Sequence, residues 1–148
     1  MIKMIDKFDG QYAFLSNFYE SPIEVWVDEE TRLMAPTAEH VFQYLKTFSE
    51  EEGIEILRAE TPGQAKRLGR KCHLRKDWED VKDHAMISVL RAKFADPELK
   101  EKLLATGNEI LVEGNTWGDT YWGMCNGDGK NRLGMLLMQV REELRNDA

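Results

Sequence analysis

Apolar and polar residues alternate through part of the first third of the chain and recur every three to four positions through much of the rest. Ile23, Val25 and Val27 alternate with Glu24 and Trp26, the period of a half-buried strand. Tyr12–Leu15 is a further short strand-like run, and Thr31–Met34 reads as a strand beyond an acidic turn at Asp28-Glu29-Glu30. Pro36 marks a boundary, and Thr37 is suited to cap a helix from Ala38 to about Phe48. Val41, Tyr44, Leu45 and Phe48 form the core stripe of that helix. Glu50-Glu51-Glu52 reads as a second solvated turn. Pro62 opens a short helix that Gly69 closes.

Asp77 then caps a longer helix, with Asp80 three residues on. Trp78, Val81, Ala85, Val89 and Leu90 give this helix its apolar contacts. Lys82, Met86, Val89 and Lys93 run along a lysine-bearing edge beside them. After Pro97 a short helix from Glu98 to Ala105 stops at Gly107, and Ile110–Val112 reads as a strand. A last helix, Leu133 to Leu144, turns Leu136, Leu137, Val140 and Leu144 inward. The pattern predicts one compact α+β domain over residues 1–148, mostly helical with short N-terminal strands.

Charge narrows the function classes. The chain carries 20 Lys and Arg against 27 Asp and Glu, a net charge of −7. General duplex nucleic-acid binding calls for a basic field, so none is expected, although a local basic pocket for a phosphate stays open. No apolar run approaches the ~20 residues that span a bilayer, so no membrane partner is expected. The segment from Met1 to Asp6 is too short and too soon interrupted for a signal peptide. Cys72 and Cys125 fit no zinc-ligand spacing and read as reduced thiols of a cytoplasmic protein. His40, His73 and His84 have no convincing metal spacing either, so neither a metal nor another cofactor is expected. The sequence sets no oligomeric state.

Candidate chemistry lies in two places. Glu39, Gln43 and Lys46 are four and then three residues apart, which puts an acid, an amide and an amine on one helical stripe. Gly114–Lys130 holds five glycines and two tryptophans, and its Trp117, Tyr121 and Trp122 suit the wall of a planar-ligand pocket. Backbone amides of such a segment, with Lys130 and Arg132, can also approach an anion. Asp119 stands among these rings. Glu39 and Asp119 together suit general acid and base work across a glycosidic bond. A desolvated Lys46 or Lys82 would instead attack an opened ribose aldehyde as a Schiff-base amine. Each feature also has a plainer reading: a helix-start acid, a surface lysine, a loop that covers the core.

Several blocks together resemble the NADAR domain, also called the YbiA-like family. They are Phe14-Leu15-Ser16-Asn17-Phe18, Pro36-Thr37-Ala38-Glu39-His40 with Gln43 and Lys46, Ala65–Arg70, Asp77-Trp78 with Val81-Lys82, and Leu90–Phe94. Asp119, Trp122-Gly123, Asn131 and Leu133-Gly134 complete the set, and the likeness spans about residues 8–145. The resemblance implies the α+β fold of that family and N-glycosidase chemistry. Its substrates would be a ribosylaminopyrimidine intermediate of the riboflavin pathway or a guanine base carrying ADP-ribose. It implies Glu39, Asp119, Lys46 and Lys82 as catalytic candidates. Asn17, Phe18, Gln43, Trp78, Trp122, Gly123 and Asn131 become candidates for holding the substrate, and Arg70 and Arg91 for gripping phosphate. One departure stands out: Cys125 occupies a position where the family often has glycine. The rival class is a non-catalytic module that binds ADP-ribose or a nucleotide.

Overall fold

The computed structural model describes residues 3–147. Met1 and Ile2, which open the segment read above as too short for a signal peptide, lie outside the described residues, as does Ala148. Asn17–Val89 forms one compact unit, and the segments up to Ser16 and from Leu90 onward form another. Helices carry most of the structure and the strands are short, so the class is α+β. No helix among the described residues is long and apolar enough to cross a membrane.

In the Asn17–Val89 unit, β2 (Glu20–Trp26) pairs antiparallel with β3 (Arg32–Thr37). Ile23 and Val25 turn inward while Glu24 and Trp26 face out, as the alternation predicts. Asp28 holds the connecting turn, its Oδ1 accepting from the N–H groups of Glu30 (2.8 Å) and Thr31 (2.7 Å). β3 runs through Pro36 directly into α1 (Ala38–Tyr44), and the Thr37 hydroxyl caps that helix by accepting the His40 N–H. Helix α2 (Glu50–Leu57) and helix α3 (Pro62–Lys71) pack on α1, as do both strands.

Several expectations change here. α1 ends at Tyr44, and Phe48 is 74% exposed rather than part of a core stripe. Because neighbours enclose α1 on several sides, the polar Glu39, His40 and Gln43 are buried with Val41 and Phe42. Glu50-Glu51-Glu52 is no turn but the first turn of α2, where Ser49 caps the Glu52 N–H and the acids meet the positive helix end. Gly69 does not close α3, which continues to Lys71, because its bare Cα is what lets α3 approach Gln43 of α1.

Helix α4 (Trp78–Lys93) starts in this unit and continues beyond it. The Asp77 carboxylate at its start is gripped at two points by Arg75. Lys93, at 2% exposure, is buried and does not lie on an edge beside the core.

In the other unit, β1 (Met4–Ile5) pairs in parallel with β4 (Ile110–Leu111). Residues Gly10–Leu15 form a 3-10 helix, not a strand, with Phe14 and Leu15 buried. Helix α5 (Pro97–Ala105) is capped by Asp96, whose carboxylate accepts two backbone N–H groups. The short parallel pair β5 (Gly114–Asn115) and β6 (Met124–Cys125) frames the glycine-rich segment. Helix α6 (Arg132–Asn146) buries Leu133, Leu136, Leu137 and Val140 and packs on β4 and α5.

Candidate functional site

The Asn17–Val89 unit gathers the acid, amide and amine row. Glu39 lies in the first turn of α1 at 7% exposure, where the helix end favours its charge. Its backbone N–H donates to the Asn17 carbonyl at 2.9 Å. One turn on, Gln43 Nε2 donates to Glu39 Oε2 at 3.2 Å. The reverse amide orientation would set oxygen against carboxylate, so this one is fixed by chemistry. Gln43 Oε1 and Asn17 Oδ1 are buried acceptors without a partner among the described residues. Groups of that kind are rare in folded proteins and fit a ligand's N–H or O–H. A β-carbon at Gly69 would collide with the Gln43 carboxamide, so the row depends on that glycine.

Lys46 follows the end of α1. Its Nζ lies 5.9 Å from the ring centroids of both Phe42 and Trp78. These rings are 5.2 Å apart and tilted by 55°. Burial pulls the Lys46 pKa below the ordinary lysine value. Glu39 and Cys72 oppose that shift, while Arg70 and Lys66 on α3 add to it. A carboxylate, an amine with a lowered pKa beside two aromatic rings, and two further cations can move protons, act as a nucleophile and attract an anion.

The remaining sequence candidates of this unit have these places. Trp78 is buried as a wall beneath Lys46, and Phe18 is 45% exposed. Arg70 is exposed on α3. Asn17 Nδ2 donates to Met86 Sδ at 3.3 Å. Lys82 Nζ pairs with Glu79 at 2.6 Å. His40 has a structural task. Its Nε2 lies 2.9 Å from the Ala59 carbonyl, which only accepts, so Nε2 carries the proton and Nδ1 accepts from the Thr37 hydroxyl. Burial holds this imidazole neutral by lowering its pKa.

The other unit gathers the glycine-rich candidates. Asp119 Oδ1 accepts from the N–H groups of Tyr121 (3.2 Å) and Trp122 (2.9 Å). Those two rings meet edge to face with centroids 4.8 Å apart. Buried Asn115 holds Asp119 by both backbone groups, at 3.1 Å and 2.9 Å. Gly123 is packed against the Glu113 backbone and carboxylate so closely that any side chain there would collide. Asn131 adopts a left-handed conformation (φ 51°) before α6. Its side chain accepts from Glu113 N–H at 3.0 Å and donates to the Leu111 carbonyl at 2.9 Å. The Arg91 guanidinium is engaged by Glu143 through two contacts of 3.0 and 2.8 Å.

Some residues that shape these places were not singled out by sequence. Asn115 fixes the Asp119 turn, and Arg75 reaches the connector that carries Lys46. Neither has a local pattern that marks it, because both act through contacts made by folding. Lys93 had a signal, its spacing from Met86 and Val89, which in this helix is the core spacing. Among the described residues no group of three His, Cys, Asp or Glu side chains is placed to hold a metal ion.

The fold is that of an α+β protein in which buried Glu39 and Gln43 and half-buried Lys46 form one acid–amide–amine row, with the amine beside the rings of Phe42 and Trp78. The family profile of the NADAR domain matches residues 5–145, and the chain belongs to the NADAR family. It is 48% identical over 137 residues to N-glycosidase YbiA of Shigella flexneri serotype 5b, covering 90% of this chain and 82% of that protein. A riboflavin biosynthesis protein of Vibrio vulnificus is 38% identical over 144 residues, covering 95% of this chain and 38% of that longer protein. The NMR structure of Escherichia coli YbiA superposes with a TM-score of 0.83 at 42% identity, covering 99% of this chain and 88% of that one.

Proposed function

We propose that the protein is an N-glycosidase that hydrolyses the bond between a ribose or phosphoribose and a base or aminopyrimidine, such as a ribosylaminopyrimidine of the riboflavin pathway. The observation that carries this is the row of buried Glu39 and Gln43 with half-buried Lys46, whose amine lies over Phe42 and Trp78. Support also comes from relatives named as N-glycosidases and from one named for riboflavin biosynthesis.

The N–C1′ bond breaks as positive charge develops on the sugar. A carboxylate in a poorly solvated site stabilises that charge more than water does. On the direct route, Glu39 takes a proton from water as its oxygen bonds to C1′. The N–C1′ electron pair leaves with the base, whose nitrogen takes up a proton that balances the one Glu39 removed from water, so one water is added across the bond. On the covalent route, neutral Lys46 adds to C1′ of the opened ribosyl imine and the base amine departs with a proton. Water then hydrolyses the lysine imine, frees the sugar aldehyde and restores the amine. Desolvation of Lys46 favours the second route, since it raises the share of neutral amine. Lys66 and Arg70 supply charge for a phosphate. Asp119 as a second carboxylate and Trp122 as a stacking ring enter by family resemblance.

Purified protein should release free base and ribose phosphate from a ribosylaminopyrimidine phosphate, read by mass detection. ADP-ribosylated guanine is the parallel substrate, and faster release from it would replace the substrate named above. Glu39→Gln keeps size and removes the acid, and turnover should fall ~10²-fold or more with the fold intact. Saturable binding of either compound with no product would reassign the site to a nucleotide-binding module.

A further inference from the structure

Lys46 stands beyond the last residue of α1, so no helical ladder fixes its carbonyl. Its N–H reaches back to Gln43 at 3.1 Å, but its carbonyl is held from outside, by the Arg75 N–H at 2.8 Å. Beside that bond, Thr47 and Leu74 form an isolated antiparallel bridge. The Arg75 side chain ties the same joint. Its Nε and Nη2 grip the two Asp77 oxygens at 2.6 and 2.8 Å. Nη1 faces the Leu45 carbonyl at 3.5 Å, at the outer limit of a hydrogen bond. The guanidinium lies 4.3 Å from the centroid of the Phe48 ring. Trp78 follows Asp77 directly, and its N–H donates to the Arg75 carbonyl at 3.2 Å. One ion pair therefore joins the connector that bears the amine to the turn that bears one of its walls.

We infer that the Arg75–Asp77 pair is a positioning device for Lys46, which holds the amine over Trp78 and acts on the reaction only through it. The role rests on the part proposed above for Lys46. Geometry separates this pair from an ordinary surface bridge. Arg32 and Glu24 meet at a single 3.6 Å contact between well-exposed side chains on the β2–β3 hairpin. Arg75 is only 20% exposed and uses a planar fork at two carboxylate oxygens, which leaves a third nitrogen for the connector. Lysine has no such fork. Ion pairs near the surface add little stability, so loss of this one should leave the fold standing.

The test compares Arg75→Lys, Arg75→Gln and Asp77→Asn with wild type and with Lys46→Met. Four quantities are read: the thermal midpoint, kcat and KM on the ribosylaminopyrimidine, and the titration of Lys46. The last is followed without substrate, by NMR of ¹³C-methylated lysines assigned through Lys46→Arg. Near-wild-type midpoints and little change in KM are expected, with kcat down about tenfold or more in all three variants. The Lys46 titration should move up toward the ordinary lysine value as the amine leaves its buried position. Glu39 on α1, Cys72, and Arg70 and Lys66 on α3 bear on this amine and are retained in every variant. The double variant Arg75→Gln with Asp77→Asn should be no worse than either single change, because one device is lost only once. If Lys46→Met is inactive while folded Arg75 and Asp77 variants keep wild-type kcat, the positioning role falls alone. An unmoved Lys46 titration in those variants also overturns it. If Lys46→Met turns over normally, the part given to Lys46 falls and the positioning role falls with it.

Discussion

At the scale of single residues, Asp119 has an assignable task before any chemistry is considered. It holds the turn that presents Tyr121 and Trp122 by accepting from both of their backbone N–H groups. Asp119→Ala removes the one oxygen that accepts both bonds and should cost about 1–3 kcal/mol of unfolding free energy. Asp119→Asn keeps an oxygen in the same place and should unfold near wild type. Denaturant curves of the two variants give the comparison. A fall in turnover confined to the folded Asn variant would then report the charge itself. The acid–amide–amine row was readable from spacing alone, because Glu39, Gln43 and Lys46 sit at helical intervals. Its burial was not. A polar stripe reads as a solvated face until the helix is known to have neighbours on several sides, as α1 has. Arg75 was illegible for a different reason: its partners Leu45 and Lys46 lie about 30 residues away in the chain, and only folding brings them close.

At the scale of elements, α4 carries a buried charge problem. Lys93 donates to the Ser16 carbonyl at 2.7 Å from a core position, and burial brings its pKa down to about 7 from an ordinary 10.5. Below the lower value, both folded and unfolded chains carry the proton. Between the two values only the unfolded chain keeps it, so stability contributed here climbs as pH rises through that window. Lys93→Met abolishes the titration. The difference in unfolding free energy between the two proteins should therefore move in favour of wild type from about pH 7 to about pH 10, measured by urea denaturation at each pH. A flat difference would mean that the lysine keeps an ordinary affinity for its proton. The same scale shows why α2 escaped a reading of the pattern. Ser49 followed by Glu52 is a capping-box spacing, yet the Glu52 carboxylate serves the His73 N–H and the Thr47 hydroxyl instead of the helix start. A run of three acids looked like a turn because charge alone does not distinguish a turn from a helix end.

At the scale of the molecule, the charge distribution gives one further expectation. The chain is acidic by seven charges, and the cations that surround Lys46 are a local exception. A random-sequence DNA duplex should show no saturable binding at ~0.15 M salt in a gel-shift titration, because a net charge of −7 opposes the counterion release that drives such binding. The order of the chain has a consequence of another kind. β1 pairs with β4, whose residues leave the ribosome roughly 100 positions later, at about 5–20 residues per second. The Asn17–Val89 unit is one continuous stretch of chain, complete well before that. During synthesis the nascent chain therefore carries its first strand without this partner for roughly 5–20 seconds, until Ile110 and Leu111 have been added.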